Sequence, residues 1–445
     1  MIKITVGNSQ CQIVGFDAKT FILLRKALSY IPTSSKSYFS GRAYNRPKYL
    51  LDKRGSFPTG LLYLVKETLR KKSIKFTTVD SRVAPVKTER FKAKFPHTPY
   101  LEQMAAALAC YLYKRGIVVA PTGVGKSLIV AMIINKLQTK TIVVVPRLEL
   151  KRQLIETLRG VFGEDKVGAL KDKRDIVVEN VDTLEGKQTP GYDCVIVDEF
   201  HHAGAATYQK LNKKAWGNIY YKFGLTATPF RSDANERLLL ESVLSRVILR
   251  VKYQDAVDKG YIVPVEAYYI DLPKIKAKED NWQTAYKNLI VNNKDLNSTI
   301  AALFSLLKDQ SVLCLVKEVK HGNNILDLLP ADHSIVFANG QDGECQEFIK
   351  RFNAEEVKGL IGTVGVIGEG VDTKPAEWVL VAGGGKSKNA FMQWCGRGVR
   401  RHKQKESCKV ILFRYNHNKW LKKHFAECVK YLRDEYGIEP VKLEI

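Results

Sequence analysis

From about residue 100 onward, short apolar runs alternate with stretches of helical periodicity. In the first part of this region the runs are "GIVVA", "TIVVVP", "DIVVEN", "DCVIVDE" and "YKFGLTAT". After a break over residues 258–280 they resume as "SVLCLV", "SIVFANG", "GLIGT", "EWVLVAG" and "KVILF". Strands that are apolar throughout are typical of parallel sheets, because helices cover both faces of such a sheet. The pattern therefore predicts two consecutive α/β units, each with its own parallel sheet.

The first 88 residues have a different pattern. The alternating stretch "IKITVG" and the strand-like "SIKFTTV" accompany two helix-like stretches, "FILLRKALSYI" and "TGLLYLVKETLRKK". This mixture predicts a small α+β domain, and the basic, proline-spaced connector "RVAPVKTERFKAKFPHTP" follows it. We therefore expect an α/β protein of three domains, with boundaries at 1–88, 89–250 and 251–445.

The charge of the chain is uneven. Its formal net charge is +25, and residues 1–97 alone hold 20 Lys and Arg against 5 Asp and Glu. A strongly basic protein usually binds a polyanion, of which nucleic acid is the commonest, although a basic surface can also serve solubility alone. The first domain is therefore the part of the chain in which we expect nucleic-acid contacts.

Several other classes of protein are disfavoured by the sequence. No apolar run approaches the roughly 18 residues that a membrane-spanning helix needs. The start, "MIKITVGNSQCQ", lacks the long apolar segment of a secretory signal. The 8 cysteines are scattered, with neither a CxxC pair nor a close Cys/His spacing, so we expect no disulfide framework and no structural metal. A reducing cytoplasm is the compartment that fits this cysteine usage.

A phosphate-binding loop is the clearest chemical signal. Residues 116–127 read "GIVVAPTGVGKS", in which a strand enters a glycine-bearing loop that opens a helix. Small residues let backbone amides wrap a triphosphate, and the helix N-terminus adds a favourable dipole. Lys126 would reach the β- and γ-phosphates of ATP, and the Ser127 hydroxyl would bind Mg²⁺. The predicted nucleotide-binding residues of the loop are Thr122, Gly123, Val124, Gly125, Lys126 and Ser127.

Residues 194–202, "CVIVDEFHH", supply the carboxylates that such a loop requires. Asp198 follows an apolar strand and is predicted to hold Mg²⁺, while Glu199 is predicted to polarise the attacking water. A histidine-bound metal would need ligands at i and i+4 on a helix, whereas these histidines follow a strand. His201 is therefore interpreted as a coupling residue, and His202 as structural.

These motifs together resemble the DExH branch of the superfamily 2 helicases. The resemblance covers roughly residues 98–415, and it implies two tandem RecA-like motor domains behind the small basic domain. Further motifs of the family follow in order: "VVVPRLELKRQ" (143–153), "IVVENVDTL" (176–184), "GLTATPFR" (224–231), "IGTVGVIGEGVD" (361–372) and "QWCGRGVRR" (393–401). Phe200 departs from the family, which often has Cys or Ala at that position.

The resemblance also implies roles for individual residues. Gln103, which precedes Gly123 by 20 positions, would read adenine, and Asp372 would touch the ribose or else only cap a turn. The residues implied in contacts with the tracked DNA strand are Pro146, Arg147, Thr183 and Thr363. The residues implied in coupling hydrolysis to movement are His201, Thr226, Thr228 and Gln393, although both threonines could be ordinary strand residues.

Two arginines complete the predicted active site. Arg397 and Arg400 lie in the last motif, and positive charge on the γ-phosphate is what a phosphoryl-transfer transition state requires. Because these residues belong to the second sheet, nucleotide binding would close the two motor domains and hydrolysis would release them.

Within the family, the compact core and the basic front domain are most similar to phage UvsW-type branch-migration helicases, with bacterial RecG a more distant analogue. The resemblance implies an ATP- and Mg²⁺-dependent DNA helicase acting on forks, junctions and displacement loops. We expect a monomer in the cytoplasm, that of the bacterial host if the chain is phage-encoded. An RNA helicase, the motor subunit of a restriction-type nuclease and a scaffold with a dead nucleotide site remain the alternatives.

Overall fold

In the computed structural model the chain is described over residues 1–445 apart from several short segments. Those segments are 32–45, 86–89, 185–186, 188, 190, 201–204, 228–233, 276–280, 331–332, 342, 368–370, 372, 386, 404 and 445. The described residues fall into two compact units. The first consists of residues 1–120 and 125–251, and the second of residues 121–124 and 252–445. The predicted boundary between residues 88 and 89 lies outside the described residues.

The N-terminal block folds as a small mixed sheet with two helices. The strands are β1 (Ile2–Val6), β2 (Gln10–Val14), β3 (Ser29–Tyr30), β4 (Lys48–Tyr49), β5 (Ser56–Pro58) and β6 (Phe76–Asp80), and the helices are α1 (Ala18–Ala27) and α2 (Leu62–Lys71). The main sheet has the order β5-β2-β1-β6, in which β1 runs antiparallel to β2 and parallel to β6. Ile4, Ile13, Leu24 and Phe57 fill its core, so the predicted α+β fold is confirmed.

The first parallel sheet has seven strands in the order β13-β7-β12-β11-β8-β10-β9. The strands are β7 (Arg115–Val119), β8 (Thr141–Val145), β9 (Val167–Gly168), β10 (Ile176–Asn180), β11 (Cys194–Asp198), β12 (Tyr221–Thr226) and β13 (Val247–Arg250). The helices are α3 (Leu101–Tyr113), α4 (Lys126–Leu137), α5 (Leu148–Phe162), α6 (Val181–Leu184), α7 (Ala205–Lys213) and α8 (Ala234–Leu244). Every residue of β7, β8, β10, β11 and β12 is buried, which explains why their sequences are mostly apolar, with the few polar residues, such as Lys222 in β12, buried as well.

The second unit contains another seven-stranded parallel sheet, in the order β16-β17-β15-β18-β19-β14-β20. Its strands are β14 (Val265–Asp271), β15 (Val312–Val316), β16 (Ile335–Ala338), β17 (Gly359–Thr363), β18 (Trp378–Val381), β19 (Cys408–Arg414) and β20 (Val441–Lys442). Its helices are α9 (Tyr253–Asp258), α10 (Trp282–Tyr286), α11 (Lys294–Leu306), α12 (Val319–Leu326), α13 (Cys345–Asn353), α14 (Val364–Ile367), α15 (Lys388–Cys395) and α16 (Lys419–Tyr436). The α/β architecture with two parallel sheets is therefore as predicted.

One strand lies where the sequence indicated a break between the two sheets. β14 belongs to the second sheet, although its segment, 258–280, does not continue the pattern of apolar runs. Buried and half-buried residues are mixed along this strand. β14 lies next to the edge strand β20, which has only two residues and leaves most of that side of β14 uncovered by another strand. A strand that is only partly covered keeps polar residues such as Glu266, and its pattern then resembles a connector.

The N-terminal block packs on the first parallel sheet through buried polar contacts. The Lys222 side chain in β12 is fully buried, and its Nζ donates to Ser9 Oγ (2.7 Å) and to Asn212 Oδ1 (2.6 Å). Nearby, the buried Arg115 donates to the carbonyl oxygens of Asn8 and, at 2.6 Å, of Val243. Removing residues 1–88 would take away the acceptors on Ser9 and Asn8, and buried donors without acceptors destabilise a fold. Deletion of this block should therefore destabilise the first parallel sheet.

A pH-dependent stability is expected from Lys222. Burial lowers the pKa of Lys222 well below its usual value, with nearby Arg115 acting in the same direction. Between this lowered pKa and the ordinary lysine pKa, the unfolded chain binds more protons than the folded chain, so the free energy of unfolding should rise as pH increases toward about 10. Chemical denaturation of the wild type and of Lys222→Met across this range measures it. An equally steep rise in Lys222→Met would contradict the assignment.

Among the described residues, no helix combines the length and the apolar character that crossing a membrane requires. In the same part of the chain, no group of three or more His, Cys, Asp or Glu residues could hold a metal ion.

Candidate functional site

The predicted phosphate loop joins a buried strand to a helix, as its sequence indicates. β7 ends at Val119, and α4 begins at Lys126 after Gly125, whose φ is +80°. Gly123 also has a left-handed φ, of +93°. A Cβ on Gly125 would lie 2.8 Å from Gln103 Nε2, so a larger residue would both strain the backbone and fill the loop.

Lys126 and the DE pair meet at the carboxyl edge of this sheet. The Lys126 ammonium lies 2.8 Å from Glu199 Oε1, and both side chains are only 13% exposed. Thr226, at the end of the intervening strand β12, donates to Glu199 Oε2 at 3.3 Å, and the Glu199 amide donates to Asp198 Oδ1 at 3.0 Å. The structure thus brings together one cation, two carboxylates and one hydroxyl, from three neighbouring parts of the same sheet.

Glu199 has an unusual backbone conformation. Its φ is +46°, in the left-handed region that residues other than glycine seldom adopt. Such a conformation costs on the order of 1–3 kcal/mol and persists where the surroundings demand a particular side-chain position. Here it accompanies the contacts of Glu199 with Lys126 and Thr226.

The residues present fit a magnesium nucleotide. Ser127 and Asp198 offer hydroxyl and carboxylate oxygens, which are the ligands that Mg²⁺ prefers. Gly125 leaves open the space that a side chain would fill, and the adjoining N-terminus of α4 suits a phosphate.

Gln103 has a structural role that sequence reasoning missed. It is 1% exposed, and its Oε1 accepts from the Tyr100 amide at 2.9 Å at the start of α3, which is the glutamine half of a capping box. The signal was present, since a Gln three residues after a helix start is typical of such a box. Its Nε2 faces Gly125 of the phosphate loop, so the predicted adenine contact and the cap involve different ends of the same amide.

Two motifs of the first sheet, 143–153 and 176–184, are predicted to contact the tracked DNA strand, and Asn180, which was not predicted, hydrogen-bonds residues of both. Asn180 ends β10; its Nδ2 donates to the Pro146 carbonyl at 3.0 Å, and its Oδ1 accepts from the Asp182 amide at 2.9 Å. Arg147 is exposed at the start of α5, and Thr183 is half-buried in α6. The polar residue at the end of the apolar stretch "VVEN" was the available signal for Asn180.

In the second sheet, Thr363 ends β17 and is buried. Arg397 is 7% exposed, and its guanidinium donates to the Val371 carbonyl. Arg400 is half-buried and forms a β-bridge with Ile262. Gln393 is half-buried in α15. The predicted residues that lie outside the described part of the chain are His201, His202, Thr228 and Asp372.

The departure at Phe200 has a packing explanation. Phe200 is fully buried in the core of the first sheet. A Cβ on Gly224, in the adjacent strand β12, would lie 2.8 Å from the Phe200 ring. The phenyl ring is therefore accommodated by glycine at position 224, and it leaves the neighbouring Asp198 and Glu199 in place.

Comparisons with known proteins agree with this arrangement. Residues 86–231 match the family described as the type III restriction enzyme, res subunit. The chain is 26% identical over 332 residues to a putative ATP-dependent helicase of Saccharomyces cerevisiae, covering 66% of this chain and 47% of that protein. Residues 86–231 therefore match a ResIII-type helicase domain, and the chain is similar in sequence to superfamily 2 helicases.

Two further relatives are named as DNA motors. The chain is 24% identical over 355 residues to a DNA 3′-5′ translocase of Sulfurisphaera tokodaii, covering 68% of this chain and 79% of that protein. It is 25% identical over 339 residues to the ATP-dependent DNA helicase uvsW of phage T4, covering 69% of this chain and 66% of that protein. The match to the yeast protein spans about half of that relative, and the match to a putative helicase of a Sulfolobus islandicus filamentous virus spans 64% of that protein.

Solved structures confirm the fold. A fragment of a putative type I restriction enzyme subunit from Vibrio vulnificus matches with a TM-score of 0.62 at 16% identity, covering 90% of this chain and 76% of that one. Dbp5 of Saccharomyces cerevisiae, bound to RNA, matches with a TM-score of 0.56 at 18% identity, covering 78% of this chain and 90% of that one. The predicted pair of RecA-like sheets is thereby confirmed.

Proposed function

We propose that this chain is an ATP-dependent DNA translocase that remodels forks, junctions and displacement loops by branch migration. The observation that carries the ATP-hydrolysing part is the ion pair between Lys126 and Glu199 at the carboxyl edge of the first sheet. The DNA and branch preferences rest on the basic N-terminal block and on the relatives named as DNA motors. We further propose a cytoplasmic monomer with ATP and Mg²⁺ as cofactors.

The chemistry follows from the contacts around Glu199. Bound Mg²⁺, held by Ser127 and Asp198, would neutralise phosphate charge. Lys126 would exchange its contact with Glu199 for the β- and γ-phosphates, and Glu199 would then be available to orient water. Because Thr226 donates to Glu199, its hydrogen bond would change when Glu199 loses its contact with Lys126. This gives the predicted coupling role of Thr226 a physical basis.

Arg397 and Arg400 are proposed to supply positive charge to the γ-phosphate. Arg400→Ala should lower kcat about 10³-fold or more while weakening ATP binding much less, because its contact would be made mainly in the transition state. Steady-state kinetics at saturating DNA measure this. Arg401→Ala is the matched control, since the exposed Arg401 donates to the Gly260 carbonyl at 2.8 Å. A change in KM alone would argue against the role of Arg400.

DNA contact by the N-terminal block is proposed to use exposed cations beside an open sheet edge. Arg70, Lys72 and Lys75 are all exposed near β6, which is an edge strand of that sheet. Neutralising them together as glutamines should weaken DNA binding and lower the salt slope by about 0.9 per lost phosphate contact. It should also reduce the preference for branched over linear DNA, as measured by titrations of forks and linear duplexes at several salt concentrations.

A matched control exists on the first parallel sheet. Lys171, Lys173 and Arg174 are exposed just before β10 begins, at the edge opposite the phosphate loop. Their replacement by glutamine removes the same charge and should leave the slope and the preference near those of the wild type. Equal effects of the two triple variants would mean that general charge, rather than the N-terminal block, governs binding.

The proposed function as a whole is tested by ATPase and unwinding assays on forks, four-way junctions, linear tailed duplexes and RNA hybrids. Greater stimulation by RNA would favour the RNA-helicase alternative. Equal activity on linear and branched DNA would remove branch migration from the proposal while leaving a DNA motor in place.

A further inference from the structure

A cavity of about 500 Å³ lies at the carboxyl edge of the second parallel sheet. Lys317, which follows β15, and Gly384 and Gly385, which follow β18, contribute to its lining. Val364 also lines the cavity, and it directly follows Thr363, which is predicted to contact the tracked DNA strand. The cavity therefore adjoins the place where the sequence predicts nucleic-acid contact.

The walls are strongly aromatic. Trp282, Trp394 and Trp420 all line the cavity, which takes three of the chain's 5 tryptophans. His424 lies across from Trp282, with 4.4 Å between the ring centroids and an interplanar angle of 70°. Trp282 and Trp420 are half-buried and pack against the core of this sheet, which holds their rings in place.

Two polar groups accompany these rings. The Lys317 ammonium lies 5.4 Å from the centroid of the Tyr286 ring. Trp394 is 3% exposed, and its Nε1 has no hydrogen-bond partner among the residues that the structure describes. Buried indole N–H groups usually find an acceptor, so this donor favours a ligand that carries one.

The backbone leaves room at the same place. Gly385 has a φ of +120°, and a Cβ there would lie 2.7 Å from Lys317 Nζ. A Cβ on Gly384, whose φ is +57°, would lie 2.6 Å from Ile290 Cδ1. Any larger residue would strain the backbone and intrude on the lysine or the core, so glycine keeps the ammonium close to this loop.

An occupant of such a site should be planar and aromatic, should accept a hydrogen bond, and should carry negative charge nearby. A nucleobase with its phosphate meets all three requirements, since every base has a π face and ring or carbonyl acceptors. The cavity volume is within the usual range for small-ligand sites. We propose that this tryptophan-lined cavity binds one unstacked nucleobase of the single strand on which the motor moves.

This inference rests on the proposed function. It adds a contact to a DNA base, whereas the other predicted contacts of the motor are to the DNA backbone. Base–aromatic stacking tolerates any sequence, so the site would grip a strand without reading it. A held base would also resist sliding of the strand between hydrolysis events.

The test uses the full chain and thymidine oligonucleotides with 2-aminopurine at one position at a time. In the wild type, the emission of the probe should fall several-fold at one position, and an abasic site there should weaken binding about tenfold. Trp282→Leu and Trp420→Leu should remove both effects, whereas Trp420→Phe should keep most of them. Trp378→Leu is the matched control, because Trp378 begins β18 at the opposite edge of the same sheet.

The outcomes separate this inference from the proposed function. Oligonucleotides could bind and stimulate ATP hydrolysis while probe emission and affinity stay the same for every probe position and every abasic site. That result would contradict the proposed base site and leave the proposed motor function unaffected. The base site is also wrong if Trp420→Leu weakens abasic and intact strands equally, or if Trp378→Leu has the same effect. If oligonucleotides neither bind nor stimulate hydrolysis, both the function and the base site are overturned.

Discussion

Lys126→Ala is expected to abolish ATP hydrolysis while leaving nucleic-acid binding largely intact. Its ammonium is the cation at the mouth of the phosphate loop, and its partner in the structure is Glu199, 2.8 Å away. In the variant, nothing would balance the β- and γ-phosphate charge at that point, which should reduce turnover by at least about 10²- to 10³-fold. ATPase assays with saturating DNA, combined with DNA-binding titrations, measure the two properties separately.

A control for this variant lies on the same helix. Lys136 is exposed near the end of α4, and its Nζ lies 5.3 Å from the centroid of the Tyr111 ring. Lys136→Ala removes the same charge and should leave hydrolysis near that of the wild type. Robust turnover in Lys126→Ala would overturn the assignment of the nucleotide site, and loss of DNA binding would show instead that the variant is misfolded.

The central strands of both sheets could be predicted because burial on both faces favours apolar residues at most positions. β11 and β15 are buried at every position, and each appears in the sequence as a short apolar run. The edges could not be predicted in this way. β9 and β20 have two residues each, and β14 is only partly covered, so no periodic pattern distinguishes them from connectors.

The candidate site divides along similar lines. Lys126 and Asp198 belong to local motifs, whose spacing is fixed by a strand end or a helix start and can be read from a short stretch. The contacts of Lys222 with Ser9, and of Phe200 with Gly224, join residues that are 24 or more positions apart in the sequence. Such contacts depend on how the elements pack, and no single segment carries a signal for them.

The docking of the N-terminal block changes how its role should be tested. Gly60 approaches the backbone of Glu241 so closely that a Cβ would lie 2.2 Å from its carbonyl oxygen, and Tyr63 donates to the Glu241 carboxylate. Deleting residues 1–88 would uncover this surface together with Lys222, and lost stability would then be confused with lost DNA contact. Substitutions at exposed cations avoid this confusion because they leave the buried contacts in place.

Glu199→Gln is expected to bind ATP but to hydrolyse it about 10²- to 10⁴-fold more slowly, which is the range for losing a general base. Glutamine keeps the shape of the side chain and can still accept from Thr226, so the local structure should survive. It cannot carry the charge that pairs with Lys126 or that polarises water. ATP affinity should be kept or improved, because Lys126 would no longer have to leave a carboxylate to reach the phosphates.

The comparison that isolates this effect is Glu179→Gln. Glu179 is also a buried carboxylate of the first sheet, and it pairs with Lys151 as Glu199 pairs with Lys126. The same chemical change there should lower stability through an unbalanced buried pair, yet leave hydrolysis without nucleic acid close to that of the wild type. Single-turnover hydrolysis and ATP-binding titrations of both variants give the result. Normal hydrolysis by Glu199→Gln, or an equal loss in Glu179→Gln, would mean that the left-handed Glu199 is held in place for the ion pair alone and does not activate water.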